Sequence, residues 1–231
     1  MDLVIDTSTR YASVAISTEG QIVAELSWRS EQNHSVELVP AIQMITRKAN
    51  TQIDSIAAVI VSKGPGGFSA LRVGISMAKT FAIARKVPII GVNSLDVEAD
   101  PYLGLGLPVC AIIGAGRSKV YAGQYGSEVD DNHIHNPEYI VQSHEELATS
   151  FERKTLLCGE GITDVAKLVG ERAGDLVTLA NITRPTRRPG VIAKLGFEIL
   201  QGGHTDPPET IEPIYMRAAQ IAAAQRNRRN C

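Results

Sequence analysis

Cysteine is scarce in this 231-residue sequence, and its three copies, Cys110, Cys158 and Cys231, are scattered. No two of them have the spacing of a redox pair or a zinc-ligand pair, which excludes a thiol motif of either kind and fits a reducing cytosol. Long apolar runs are missing as well: none reaches the roughly 18 residues that a membrane span needs. Met1-Asp2-Leu3-Val4-Ile5 leads straight into a strand pattern with no basic leader, so we expect no signal peptide and a cytoplasmic chain. Nor is there an excess of charge. The formal net charge is -2, so a nucleic acid would have to be met by a local patch. The two basic clusters, Arg184, Arg187, Arg188 and Arg226, Arg228, Arg229, read as a solvated loop and a chain end. Hydrolase signatures of the Gly-x-Ser-x-Gly and His-Glu-x-x-His kinds are absent. His133 and His135 follow Asp130-Asp131-Asn132 in a polar stretch that reads as a surface turn, while His34, His144 and His204 have no partner at ligand spacing.

What is present is an ordinary globular composition, 44% hydrophobic and 21% charged, in a chain long enough for two lobes. Residues 3–6, 11–17 and 21–28 read as a β-meander, with Glu19-Gly20 as a turn. Ser35 is a plausible cap for a helix through Leu38, Ala41, Ile42, Ile45 and Ala49, which Pro40 either bends or forces to start near Glu37. The unalternating run 56–61 suits a strand covered on both faces, and residues 69–85 form a strong helix pattern. After a short strand at 88–90, the Gly- and Pro-rich stretch 99–106 is the best lobe boundary. The order then recurs: strands at 109–113, 120–125 and 139–142, a helix at 145–151, a strand at 155–158 and a helix at 165–169. A strand near Val177 and helices at 191–201 and from Tyr215 to about Arg226 complete the chain. We therefore expect an α/β chain of two βββαβα lobes with mixed sheets, residues 1–100 and 101–231, with the last helix a candidate to pack back on the first lobe. That duplicated plan is the actin-like (ASKHA, RNase H-like) architecture.

Two turns carry candidate chemistry. Asp6-Thr7-Ser8-Thr9 ends the first strand with an acid and three hydroxyls, which suits either phosphate binding or turn formation by side-chain to backbone bonds. Gly64, Gly66 and Gly67 join the buried strand to a helix N-terminus, where free N–H groups favour an anion, although the Gly-Lys-Ser/Thr ending of a P-loop is missing. Inside that helix Ala70, Gly74, Ala78 and Ala82 recur every four residues and make a ridge of small side chains flanked by Leu71 and Ile75. Such a ridge admits another helix closely, supplied either by a partner protein or by the preceding helix.

Ile5-Asp6-Thr7-Ser8-Thr9, Asn33-His34-Ser35, the run from Lys63 to Gly74 and Pro88-Ile89-Ile90-Gly91-Val92-Asn93-Ser94-Leu95 together resemble the TsaB (YeaZ) family. The match is dense to about Leu95 and thin afterwards, where Pro213-Ile214-Tyr215-Met216-Arg217 resembles the family's ending. Members are the non-catalytic partners of TsaD in making threonylcarbamoyladenosine at position 37 of tRNA. The resemblance implies a scaffolding subunit with no catalytic and no metal-binding residue of its own. Ser94 and Glu98 stand where catalytic relatives carry two metal-binding histidines, and Ile113-Gly114-Ala115-Gly116-Arg117 lacks the acid of a second phosphate turn. It also implies a TsaD-like partner bound through His34, Leu38, Ile42, Ile45, Ala70, Leu71, Gly74, Ile75, Ala78 and Ala82. A TsaE-like ATPase would join the same complex. The chain alone would be a homodimer, with tRNA met indirectly or through the basic tail. No cofactor is required, and ATP or ADP at a complex interface is the one allowed. The alternatives are an ATP-dependent phosphotransferase of the sugar or acetate kinase class, for which only Asp6 is available as a cleft acid, and a nucleotide-binding regulatory module.

Overall fold

A strand with no polar alternation must be covered twice, and residues 58–61 of the run predicted at 56–61 meet that condition, while Ala57 before them is exposed, in a computed structural model of the chain, which describes residues 1–31, 33–126 and 137–216. The first half contains β1 (Asp2–Asp6), β2 (Tyr11–Thr18), β3 (Gln21–Arg29), α1 (His34–Lys48), β4 (Ala58–Gly64), α2 (Phe68–Arg85), β5 (Ile89–Asn93) and α3 (Ser94–Ala99). The second contains β6 (Val109–Gly114), β7 (Lys119–Tyr125), β8 (Glu138–Ser143), α4 (His144–Thr149), β9 (Thr155–Cys158), α5 (Ile162–Arg172), β10 (Val177–Leu179) and α6 (Pro189–Gln201). One sheet has the order β3-β2-β1-β4-β5 and the other β8-β7-β6-β9-β10, so the two share one topology. In each, three antiparallel strands are extended by two parallel ones reached through helices. This is the actin-like α/β plan with two mixed sheets. Among the described residues no helix is long and apolar enough to cross a membrane.

Strand alternation sorts the first sheet's core into two layers. Leu3, Ile5, Val14, Ile16, Val59 and Val61 face one way and pack with Leu38, Ile42 and Ile45 of α1 and Ile75, Ala78 and Ala82 of α2. Val4, Ala15, Ala58, Ile60, Ile90 and Val92 face the other way, against Ile192 and Ala193 of α6. Helix α1 begins at His34 and runs through Pro40, so of the two expected outcomes the late start near Glu37 is not the one adopted. Val36, whose carbonyl loses its donor to the proline, is 72% exposed, so water can satisfy it.

The unit boundaries differ from the predicted 100/101 split. The first unit comprises Met1–Val97 and Arg187–Ile214, and the second holds Glu98–Thr186 together with, of the described residues, Tyr215 and Met216. The physical reason is α6, whose apolar face covers the open side of the first sheet. The segment after α6 adds to this: Asp206 donates its N–H to the Ile89 carbonyl at the β5 edge, accepts from the Gly91 N–H (2.7 Å) and pairs with Lys63 (3.3 Å). Most of the predicted last helix lies outside the described residues, as do His133, His135, Arg217 and the Arg226, Arg228, Arg229 tail.

Gly196 of α6 lies against β4 so closely that a Cβ there would collide with the Ile60 side chain. Gly196→Ala is expected to cost about 1–3 kcal/mol of stability by overpacking, read as a lowered Tm in thermal denaturation. An unchanged Tm would mean that α6 is not seated on the sheet.

Candidate functional site

The turn after β1 and the glycine loop after β4 lie at the C-terminal ends of neighbouring parallel strands, the usual place for a ligand in an open α/β sheet. Here the two loops bind each other. The Gly67 N–H donates to the Ser8 carbonyl (2.7 Å), and a Cβ on Gly66 would collide with that same carbonyl. Thr7 donates its hydroxyl to the Ala70 carbonyl (2.6 Å) and accepts the Gly74 N–H (3.1 Å), which locks the turn to the first turns of α2.

Asp6 is equally committed. One carboxylate oxygen accepts the Ser8 N–H at 2.8 Å. The other accepts the Nε–H of Arg187 at 3.1 Å, and both side chains are only 1% exposed. Arg187 also donates to the Thr9 hydroxyl at 2.6 Å. The guanidinium thus holds the positive charge beside Asp6 that a metal ion would otherwise supply, and any cation or phosphate entering here would have to displace a buried ion pair.

Arg187 went unrecognised among the functional residues because it reads as one of three solvated loop arginines. The signal that points to it is indirect: a lone acid at the end of a fully buried strand needs a cationic or multi-donor partner. Of the other loop arginines, Arg184 bonds Thr163 at 2.6 Å and is exposed.

The residues predicted to bind a partner are brought together, but inward. Leu38, Ile42, Ile45, Leu71, Ile75, Ala78 and Ala82 are at most 5% exposed. Gly74 is buried, and a Cβ on it would meet the Thr7 hydroxyl. The small-residue ridge therefore lets α2 approach its own sheet and turn rather than a foreign helix, with Ala70 half-buried at its start. His34 is also buried, and its Nδ1 has no hydrogen-bond partner. The apolar residues that do face out are Val36, Val39 and Met44 on α1 and Phe68 and Ile83 on α2. Val36, Val39 and Met44 fall on one side of α1 at helical spacing.

Ser94 and Glu98 are both buried. Within the second unit Glu98 accepts from the Glu160 N–H (3.2 Å) and the Thr186 hydroxyl (2.7 Å), so its carboxylate is tied into local structure. Among the described residues no group of three or more His, Cys, Asp and Glu side chains converges. Burial pushes the Cys110 thiol up to about 12, and burial, with Glu98 and Cys110 nearby, also raises Cys158, so neither is a nucleophile near neutral pH.

Two mixed sheets of one topology, with the turn after the first strand closed by the chain's own guanidinium, define an α/β protein of the actin-like class. The profile of the family described as "TsaD: tRNA N6-adenosine threonylcarbamoyltransferase" matches residues 20–156, and the chain belongs to that family. Within it, the chain is similar almost end to end to proteins named tRNA threonylcarbamoyladenosine biosynthesis protein TsaB. It is 25% identical to the one from Bacillus subtilis (strain 168), covering 96% of each chain. It is 28% identical to that of Escherichia coli (strain K12), covering 93% of this chain and 94% of the other. The solved structure of YeaZ from Pseudomonas aeruginosa shares the fold, with a TM-score of 0.74 at 23% identity over 93% of this chain and 98% of that one.

Breaking the buried pair from one side should be far worse than removing both charges. Arg187→Ala is expected to cost about 3–5 kcal/mol, while Asp6→Asn/Arg187→Met recovers most of it; equal losses in the two variants, measured by denaturant unfolding, would contradict this. A second expectation concerns pH. Burial holds His34 below its ordinary value of 6.5, against smaller opposing pulls from Glu37 and Asp6. The unfolded chain therefore takes up that proton first, and the stability contributed by neutral His34 is full above pH 6.5 and is lost as the pH falls from there through the group's lower folded-state value. His34→Gln should flatten the slope of Tm between neutral and mildly acidic pH. An unaltered slope would assign the dependence to other groups.

Proposed function

We propose that this chain serves tRNA threonylcarbamoyladenosine biosynthesis as a non-catalytic subunit that binds and activates a TsaD-like catalytic chain. The observation that carries the reading is the engagement of Asp6. A phosphotransferase or ATPase of this architecture needs a free acid at this turn to hold magnesium, and here both carboxylate oxygens are taken by the chain itself. The end-to-end similarity to proteins named TsaB supports the pathway.

The partner surface in this reading is the outward side of α1 and α2, not the ridge. Val36, at 72% exposure, and Met44, at 60%, are large apolar exposures on one helix side, and Phe68 adds an aromatic anchor at the start of α2. A surface of this kind also suits a two-fold pair of identical chains when the partner is missing. A TsaE-like ATPase and ATP or ADP at a subunit interface belong to the same assembly.

The test is binding to a TsaD-like protein by gel filtration and calorimetry. Val36→Asp/Met44→Asp should weaken the complex at least about tenfold while folding stability changes by no more than about 0.5 kcal/mol. Gly74→Leu should instead lower Tm strongly. Undiminished binding by the surface double variant would move the interface elsewhere, and failure of the wild-type chain to bind would overturn the reading.

A further inference from the structure

The first turn of α1 is weakly held by its own helix. Asn33, the N-cap, makes no side-chain capping bond, although its carbonyl accepts the Val36 and Glu37 N–H groups at 2.9 and 3.1 Å. A helix start without a side-chain cap frays readily. Pro40 then removes the bond that the Val36 carbonyl would accept, so the ladder is interrupted where this turn joins the rest of the helix. Yet the turn carries Val36, which at 72% is the most exposed large apolar side chain among the described residues.

What ties the turn down comes from the edge strand β3. The indole N–H of Trp28 donates to a carboxylate oxygen of Glu37 at 2.9 Å. Ser30, just past the end of β3, is buried; its hydroxyl accepts the Asn33 N–H at 3.2 Å, and its own N–H donates to the Arg10 carbonyl at 2.7 Å. Side-chain hydrogen bonds from Ser30 and Trp28 hold the Glu37 carboxyl below its ordinary value of 4.5. Trp28 is itself anchored, because it packs with Ala24 and Leu26 against the core layer that α1 and α2 cover. A half-buried indole N–H needs an acceptor. Here the acceptor comes from the first turn of a different element, which makes the bond a tether between core and helix.

We infer that Trp28 and Glu37 are positioning residues for the proposed partner surface, a role that rests on the reading of the outward side of α1 as the place where a TsaD-like chain binds. Their bond sets where the first turn of α1, and with it Val36, stands before the partner arrives. A turn already held in its bound place loses less conformational freedom on binding, so the tether raises affinity without adding a contact.

The test is a double-mutant cycle on the full chain, read by calorimetry as the dissociation constant for a TsaD-like protein. Glu37→Ala and Trp28→Phe should each weaken the complex about three- to tenfold. The two together should weaken it no more than either alone, because they remove the same bond. Glu37→Gln keeps an acceptor for the indole and should bind like wild type. Both Glu37 variants should keep Tm within about 4 °C of wild type. Trp28 is the only tryptophan of the chain, so its fluorescence reports the tether without any partner. Glu37→Ala should change that emission, and Glu37→Gln should leave it as in wild type. Undiminished binding by Glu37→Ala and Trp28→Phe, additive losses in the double variant, or an indole emission unmoved by Glu37→Ala would overturn the tether while leaving the partner reading in place. A wild-type chain that does not bind would overturn both.

Discussion

The ion pair between Asp6 and Arg187 determines how the first unit is built. Its acid closes β1 and its guanidinium opens the segment that carries α6, so residues 181 positions apart meet in a site that admits almost no water. Two charges so deeply buried are tolerable only because each has further partners, the Ser8 N–H for the carboxylate and the Thr9 hydroxyl for the guanidinium. The same contact fixes where α6 begins, and α6 covers the face of the sheet that α1 and α2 leave open. A sequence-discontinuous unit follows from that single requirement.

The pair also decides what the phosphate-type turn can do. Turn and glycine loop are cross-bonded through Gly67 and Ser8, and through Thr7 to the backbone of α2, so these donors and acceptors are spent within the protein. Closing the turn internally makes its geometry independent of any ligand. A constant shape would suit the subunit role proposed above, in which the outer sides of two helices are presented to a partner.

Much of the fold was legible because the local signals were periodic. The unalternating run at 56–61, the meander before it and the repeated βββαβα order pointed to two mixed sheets, while the strand order within each is read from the structure. What could not be read locally was which way a helix turns its stripe. The ridge Ala70, Gly74, Ala78, Ala82 signals close approach, but small side chains admit a neighbouring sheet as readily as a partner helix, and the contact of Gly74 with Thr7 is non-local. Arg187 was illegible for a related reason: its burial depends on an acid far away in sequence, and its own neighbourhood of arginines and prolines is that of a solvated loop. The boundary between units was misjudged because composition marks flexible stretches, not the helix that returns to cover an earlier sheet.

The central claim is that the Asp6–Arg187 pair is structural and that the chain supports tRNA modification without chemistry of its own. The most direct measurement is threonylcarbamoyladenosine formation on tRNA in a reconstituted complex with a TsaD-like catalytic chain, comparing wild type with a folded Asp6→Asn/Arg187→Met variant. The account predicts that modification requires this chain yet proceeds at the wild-type rate with the variant. Loss of modification by a variant that still folds and still binds the catalytic chain would contradict it.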